Sequence, residues 1–130
     1  MIAVRYFSKL GNTKTIAEAI AEGAGVEAVS ITEEPELNEP VDVLVLGGAS
    51  YANFLAPELL EYAMNLRADL VGRVSLFTVS NISRRTVQVL KRVLREKGIE
   101  VEDDYFYAQA LHIKARIVAA KAFGKLKSLG

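Results

Sequence analysis

The chain begins with a strand pattern that changes to a helix pattern across a short polar turn. Residues Ile2–Phe7 are mostly apolar, β-branched or aromatic, which is typical of a strand. The turn, Ser8–Thr13, contains a glycine, an asparagine and two hydroxyl side chains. Apolar side chains then recur at helical spacing, so we predict a first helix at 13–23, capped by Asn12 or begun by a capping box at Thr15–Glu18. A strand that leads directly into a helix is the building unit of α/β proteins.

The same alternation continues to the end of the chain. We predict further strands at 26–31, 41–46, 73–79 and within 99–108, and further helices at 57–67, 84–97 and 112–128. Residues 32–40 fit either a polar loop or a broken helical turn. The pattern predicts the α/β fold class, with a doubly wound five-stranded parallel sheet. Ligands in such sheets bind beyond the carboxyl ends of the strands.

Two of the predicted helices are amphipathic. The inward face of the helix at 84–97 is predicted to comprise Val87, Leu90, Val93 and Leu94. One face of the last helix comprises Ala115, Val118, Ala119, Ala122 and Leu126, and another comprises Lys114, Lys121 and Lys125. Helices of this kind cover a sheet and leave their charged sides in water.

The composition describes a chain that can bury a core. It has 130 residues, 51% hydrophobic and 25% charged, so we predict a single domain over residues 1–130. We expect no membrane association, because an apolar run of about 18 residues and a signal-peptide pattern are both missing. The cysteine count is zero, which excludes disulfides, thiol catalysis and thiolate-bound iron–sulfur clusters and favours a cytoplasmic protein.

The net charge of zero conceals two oppositely charged halves. Residues 1–66 contain three basic and ten acidic side chains, whereas residues 67–130 contain thirteen basic and six acidic ones. The positive residues of the second half are spread along helix-like segments, which is typical of solvated helix faces. Motif spacings of nucleic-acid-binding proteins are missing, so we expect no nucleic-acid partner.

The turn at Ser8–Thr13 has the chemistry of a phosphate site. Backbone N–H groups and the positive end of a helix dipole meet there, and Ser8 and Thr13 add hydroxyl donors. Gly11 can adopt a positive φ or let the backbone approach a ligand. Ordinary helix capping explains the same residues equally well, so this segment by itself leaves both interpretations open.

A second loop segment, Gly47–Pro57, follows the most apolar predicted strand. Its two glycines, Gly47 and Gly48, would let the chain turn tightly beside a ligand. Tyr51 and Phe54 are then expected at the exposed carboxyl edge of the sheet, where a planar ligand ring would bury them. The alternative is that either ring packs on the following helix.

Several other site chemistries lack their required residues. The Gly-x-Gly-x-x-Gly and Gly-x-x-x-x-Gly-Lys patterns are both absent. His112 is the only histidine, which excludes a histidine-based catalytic triad or a multi-histidine metal site within one chain. The carboxylates Glu100, Glu102, Asp103 and Asp104 are interpreted as a solvated strand edge.

In its first two loops the chain resembles the flavodoxins. Ser8–Thr13 is similar to the phosphate loop of that family, and Gly48–Tyr51 is similar to its second loop, where an aromatic side chain stacks on the flavin. The resemblance implies the strand order 2-1-3-4-5 and flavin mononucleotide (FMN) as the cofactor. The cofactor-binding residues that it implies are Ser8, Lys9, Leu10, Gly11, Asn12, Thr13, Ser50, Tyr51, Ala52, Asn53, Phe54, Ser80 and Asn81.

The resemblance implies a redox protein, either an electron carrier or a small oxidoreductase, with a redox partner protein or a small-molecule substrate. Flavodoxins are typically acidic, whereas the third loop of this chain, Ser80–Arg85, is basic and lacks the aromatic that often covers the flavin. Arg84 or Arg85 near the ring would make the flavin potential less negative. For these two arginines the alternative is that both are ordinary solvated charges at a helix start. The alternative is a flavodoxin-like binding or assembly module without redox activity. We expect a monomer or a weak homodimer.

Overall fold

The computed structural model describes residues 1–51 and 54–129. The strands are β1 (Ile2–Phe7), β2 (Ala28–Ser30), β3 (Val41–Tyr51), β4 (Phe54–Leu55), β5 (Val71–Ser80) and β6 (Val101–Gln109). The helices are α1 (Asn12–Ala24), α2 (Pro57–Asn65), α3 (Arg85–Glu96) and α4 (Ile117–Ser128), and 3₁₀ turns span Ala68–Leu70, Ala110–His112 and Lys114–Arg116. No helix in the described ranges is long and apolar enough to cross a lipid bilayer.

The sheet confirms the predicted architecture. Its order is β2-β1-β3-β5-β6, and every neighbouring pair along that path is parallel. These strands are the five predicted from the sequence, so the order 2-1-3-4-5 is confirmed. The structure adds β4, which pairs antiparallel with the end of β3 through Ser50 and Leu55. The segment 32–40 contains neither helix nor strand, so of its two interpretations the polar loop holds.

Helix α1 begins one residue earlier than predicted, and its cap is different. Gly11, not Asn12, is the N-cap residue, with φ 95° and ψ −16°. Thr15 lies inside the helix, where its Oγ1 donates to the carbonyl oxygen of Gly11 at 3.1 Å. The capping-box start at Thr15 is therefore wrong. A glycine in the left-handed region can begin the helix directly at Asn12, because it turns the chain without steric cost.

The core consists of one apolar layer on each face of the sheet. Helices α2 and α3 pack on the first face, where Leu59 and Leu90 are fully buried against Leu44 and Leu76. Helices α1 and α4 pack on the second face, around Phe77. Both layers carry mainly leucine, isoleucine and valine, as expected for a parallel sheet that is covered on both sides.

Helices α1 and α4 touch backbone to backbone at two glycines. A Cβ atom on Gly124 would lie 1.8 Å from the carbonyl oxygen of Ile20, and one on Gly23 would lie 1.9 Å from that of Lys121. Since real Cβ atoms do not approach backbone this closely, only glycine permits this separation of the helices. The two glycines thus set how closely α4 docks on the fold.

The apolar face predicted for the last helix is wrong at several positions. Val118, Ala122 and Leu126 are exposed, whereas Ala120 and Gly124 are buried against α1. The helix also starts at Ile117, after two 3₁₀ turns, instead of at residue 112. Those turns change the angle at which the helix presents its residues, so an extrapolated helical periodicity selected the wrong face.

Lys127 anchors the end of α4 by its charge. Its Nζ lies 3.0 Å from carboxylate oxygens of both Glu102 and Asp104 on β6, and the lysine side chain is buried. Burial lowers the pKa of Lys127, but hydrogen bonds to Asp104 and Glu102 outweigh it, so the pKa is raised above the ordinary lysine value. The predicted solvated carboxylates of β6 therefore include two that hold the last helix in place.

Candidate functional site

The first wall of the site is the connection between β1 and α1. The backbone N–H of Gly11 donates to Ser8 Oγ at 3.0 Å, which folds residues 8–11 into a tight turn. Helix α1 has no side-chain cap and no acidic residue in its first turn. Thr13, the second residue of the helix, is buried.

An uncapped helix start leaves N–H groups of its first turn without intrahelical acceptors. Together with the positive end of the helix dipole, they favour an anion at this position. The Ser8 hydroxyl accepts from Gly11 and still carries its own proton, which it can donate outward. Plain capping does not explain this turn, because no side chain caps α1.

The two glycines of the second segment have a different role from the predicted one. Gly47 and Gly48 lie within β3, which runs straight through them to Tyr51. A Cβ on Gly47 would lie 2.4 Å from the Phe77 ring, and one on Gly48 would lie 2.6 Å from Leu59 Cδ2. The glycines therefore make room for two core side chains and do not form a turn beside a ligand.

Ser50 links the end of β3 to the start of α3. Its Oγ accepts from the backbone N–H of Thr86 at 3.2 Å and donates to Thr86 Oγ1 at 2.9 Å. Thr86 Oγ1 in turn donates to the carbonyl oxygen of Ala49 at 3.1 Å. Ser50 thus acts as an N-terminal cap for a helix that starts 35 residues later in the sequence. Thr86 is a missed residue of this region, since nothing in its sequence neighbourhood indicates the contact.

The structure describes only some of the other residues predicted as site residues in the second segment. Tyr51 ends β3, and Phe54 begins β4 with its side chain exposed to solvent. Ala52 and Asn53 lie outside the described residues. The Phe54 side chain is 67% exposed, so the following helix does not bury it.

The third wall is the loop after β5, which Tyr107 of β6 holds in place. Tyr107 Oη donates to the carbonyl oxygens of Ser80 at 2.9 Å and Asn81 at 2.7 Å. Arg84 Cζ lies 3.3 Å from the centre of the Tyr107 ring, and Arg84 Nη1 donates to the carbonyl oxygen of Ile82 at 2.6 Å. The loop has no aromatic of its own, but a neighbouring strand supplies one beneath it.

Removal of the Tyr107 hydroxyl tests how firmly this loop is held. We expect Tyr107→Phe to lower the free energy of unfolding by about 1 kcal/mol, because two carbonyl oxygens lose a donor while the ring and its arginine stay. Urea unfolding measures the loss. Tyr105→Phe on the same strand is the matched control, with an expected change below about 0.5 kcal/mol. Equal losses in the two variants would show that the Tyr107 hydroxyl does not hold the loop.

These three walls enclose a cavity of about 330 Å³ at the carboxyl edge of the sheet. It is lined by Ser8, Leu10, Asn12, Thr13, Ala49, Ser50, Val79, Ser80, Asn81 and Ala110. Seven of these residues are among the thirteen predicted from the sequence, and they come from three segments that are distant along the chain. Lys9, Gly11 and Phe54 do not line the cavity, although Gly11 shapes the turn that forms its first wall.

Ala49, Val79 and Ala110 are lining residues that the sequence prediction missed. Ala49 and Val79 are register partners on adjacent strands, β3 and β5, and both lie one residue before a predicted site residue. Ala110 immediately follows β6. Their common signal is position at a strand end, which the parallel-sheet rule could have used.

A larger cavity of about 570 Å³ lies beside β1, β2 and the loop 32–40. Arg5 and five glutamates contribute to its lining, and the glutamates are Glu27, Glu33, Glu34, Glu36 and Glu39. Arg5 is already paired with Glu34 at 3.1 Å. Because these carboxylates repel anions, the larger cavity does not suit a phosphate, whereas the smaller one does.

Comparisons with known proteins agree with this geometry. A family model described as the flavodoxin domain matches residues 3–116. No curated protein sequence matches the chain.

Solved structures share the fold over the length of the chain. A flavodoxin, WrbA-like protein from Agrobacterium tumefaciens is 21% identical with a TM-score of 0.78, covering 98% of this chain and 94% of that one. A flavodoxin from the domain Archaea is 20% identical with a TM-score of 0.74, and two-electron reduced Megasphaera elsdenii flavodoxin is 19% identical with a TM-score of 0.68; both matches cover all of each chain. Because the family model spans most of the sequence, this protein belongs to the flavodoxin family.

Proposed function

We propose that this protein binds FMN at the carboxyl edge of its sheet and transfers electrons through it. The observation that carries the proposal is the uncapped start of α1, which lies beside Ser8 and Thr13 and opens into a cavity lined by three separate loops. A helix start without its own cap and without acidic residues is suited to a phosphate group. The flavodoxin domain match supports a flavin as the rest of the ligand.

The residues present fit such a ligand. The first-turn N–H groups of α1 and the Ser8 hydroxyl would hold the phosphate, and the Ser80–Asn81 backbone with the Asn81 amide would meet the polar edge of the ring. Tyr107 holds that backbone in position through its hydroxyl. When bound, FMN supplies the redox chemistry, and the protein supplies orientation and charge.

Positive charge beside the proposed flavin site distinguishes this chain from acidic flavodoxins. Arg84 of the third loop lies on the Tyr107 ring, and Arg85 follows it at the start of α3. Positive charge stabilises added electrons, so the flavin is expected at a less negative potential than in acidic flavodoxins. The redox partner or substrate, the oligomeric state and cytoplasmic residence stay predictions.

Titration of the apoprotein with two flavins tests the proposal. We expect FMN to bind at micromolar or lower concentrations with quenching of its fluorescence, and riboflavin to bind far more weakly because it lacks the phosphate. Isothermal calorimetry gives both affinities. Failure of both flavins to bind would support the binding or assembly module instead. Equal affinities would show that the α1 start does not hold a phosphate.

A further inference from the structure

Four large apolar side chains are exposed around the candidate site. They are Leu10 (87% exposed), Phe54 (67%), Ile82 (84%) and Leu111 (77%). Each follows the carboxyl end of a different strand, since they come after β1, β3, β5 and β6 respectively. We call these four residues the apolar rim.

The apolar rim surrounds the cavity and does not fill it. Leu10 lines the cavity directly, while Ile82 and Leu111 each follow a lining residue, Asn81 and Ala110. Apolar side chains this exposed are stable singly, but a group of them around one opening is typical of an interaction surface. The site opening is therefore ringed by side chains that a partner could bury.

The charged residues in the loops that carry the apolar rim are all positive. Arg84 and Arg85 follow Ile82, and Lys114 and Arg116 follow Leu111. The segments 8–11, 49–56, 80–85 and 109–117 contain no acidic residue. The acidic residues of the second half lie near the opposite edge, where Glu102 pairs with Arg73 and Asp103 with Arg95. In the described ranges no carboxylate forms an ion pair with these four cations.

Two of these cations are held in place by aromatic rings. Arg84 lies on the Tyr107 ring, and Arg116 Cζ lies 4.6 Å from the centre of the Phe106 ring while its Nε donates to the carbonyl oxygen of Tyr107. Their charges are therefore ordered before any partner arrives, which lowers the entropy cost of binding. Glu33 and Glu34 follow β2 at the far side of the same edge. The edge is therefore positively charged on one side and negatively charged on the other.

We propose that the apolar rim and its cations dock an electron-transfer protein whose redox centre is surrounded by acidic residues. The proposal rests on the proposed function, because it places the partner against the flavin site. Apolar contact would exclude water between the two centres, and the cations would steer and orient an acidic surface. The carboxylates beyond β2 would repel the same surface, which selects one orientation.

The experiment uses an acidic [2Fe–2S] ferredoxin as the probe and cytochrome c, a basic redox protein, as the control of opposite charge. Surface plasmon resonance with immobilised probe measures binding of this chain with and without FMN, so the result does not depend on flavin loading. At about 20 mM salt, where the Debye length is about 20 Å, we expect ferredoxin to bind and cytochrome c not to bind. At about 500 mM salt, ferredoxin binding should fall at least about tenfold.

Variants separate local charge from net charge. Arg85→Glu with Lys114→Glu should weaken ferredoxin binding at least about tenfold at low salt. Arg92→Glu with Lys125→Glu changes the net charge equally at exposed positions away from the edge, and should weaken binding less than about threefold. Ile82→Ser with Leu111→Ser should weaken binding about tenfold at both salt concentrations, because the lost contact is apolar.

Three results would overturn the proposal. Equal effects of the two charge variants would show that net charge alone is responsible. Concentration-dependent dimers in sedimentation that disappear in Arg85→Glu/Lys114→Glu would show that the acidic half of a second copy occupies the surface. Binding to vesicles containing phosphatidylglycerol, with none to ferredoxin, would identify a lipid surface as the occupant. Loss of FMN binding with intact ferredoxin binding would instead contradict the proposed function alone.

Discussion

Asn12→Asp is expected to weaken FMN binding about 100-fold while it leaves the apoprotein as stable as before or slightly more stable. The new carboxylate stands at the first residue of α1, on the lining of the cavity, where it would repel the phosphate. A loss of about 3 kcal/mol in binding corresponds to this factor. The same carboxylate interacts favourably with the helix dipole, which adds up to about 1 kcal/mol to the apoprotein. Calorimetric titration and urea unfolding measure the two effects.

This prediction is specific because the affinity for FMN should fall while the stability of the apoprotein should not. Asn38→Asp introduces the same charge on the exposed loop 32–40, outside the lining of the candidate site, and should change neither quantity measurably. Riboflavin provides a second control, since its affinity should be nearly the same in wild type and Asn12→Asp. If Asn12→Asp bound FMN as tightly as wild type, the phosphate would have to lie elsewhere, and the α1 turn would serve only to begin the helix.

Gly124→Ala is expected to destabilise the fold by about 3 kcal/mol, with a fall in the melting temperature of about 10 °C. The added Cβ would lie 1.8 Å from the Ile20 carbonyl oxygen, so α4 would have to move away from α1. Helix propensity predicts the reverse, since alanine in a helix interior is about 1 kcal/mol better than glycine. The sign of the change therefore shows which effect dominates.

Gly98→Ala is the control for this substitution. Gly98 has φ 82°, but a Cβ there would have open space, so only backbone strain of about 1 kcal/mol is expected. Gly23→Ala, at the other close contact of the same helix pair, should resemble Gly124→Ala because its Cβ would meet the Lys121 carbonyl oxygen at 1.9 Å. Thermal unfolding would measure the stability of all three variants, and far-ultraviolet circular dichroism would show that each is folded before heating. A stabilised Gly124→Ala would show that the two helices are not in backbone contact.

The elements of the fold were largely predictable because their causes are local. The runs at Ile2–Phe7 and Val41–Leu46 depend on neighbouring side chains, and helix α3 has its predicted inward residues Leu90 and Leu94 buried. The turn between β1 and α1 was predictable for the same reason, since Ser8 and Gly11 contact each other within four residues. Only the exact cap was wrong, because glycine and asparagine are both accepted at that position.

The errors lie where residues distant in sequence decide the outcome. Gly47 and Gly48 had the composition of a turn, yet Phe77 and Leu59 require them inside a strand. Ser50 lines the cavity as predicted, but the capping of α3 by its hydroxyl through Thr86 was missed. In both cases the deciding partner is more than ten residues away, so no pattern in the local sequence contains the information.

Periodicity in the sequence determined which segments are strands and helices and that helices cover both faces of a parallel sheet, because these patterns are local. The strand order followed from the resemblance to the flavodoxins, and turn chemistry predicted an anion site in the first loop. Tertiary packing decided the close contact of α1 and α4 at Gly23 and Gly124, which faces of α4 are buried, and the support of the third loop by Tyr107. It also gathered the cations of two distant loops around one opening. These features depend on which surfaces meet in space, and close packing leaves no freedom to choose them from the sequence of one element.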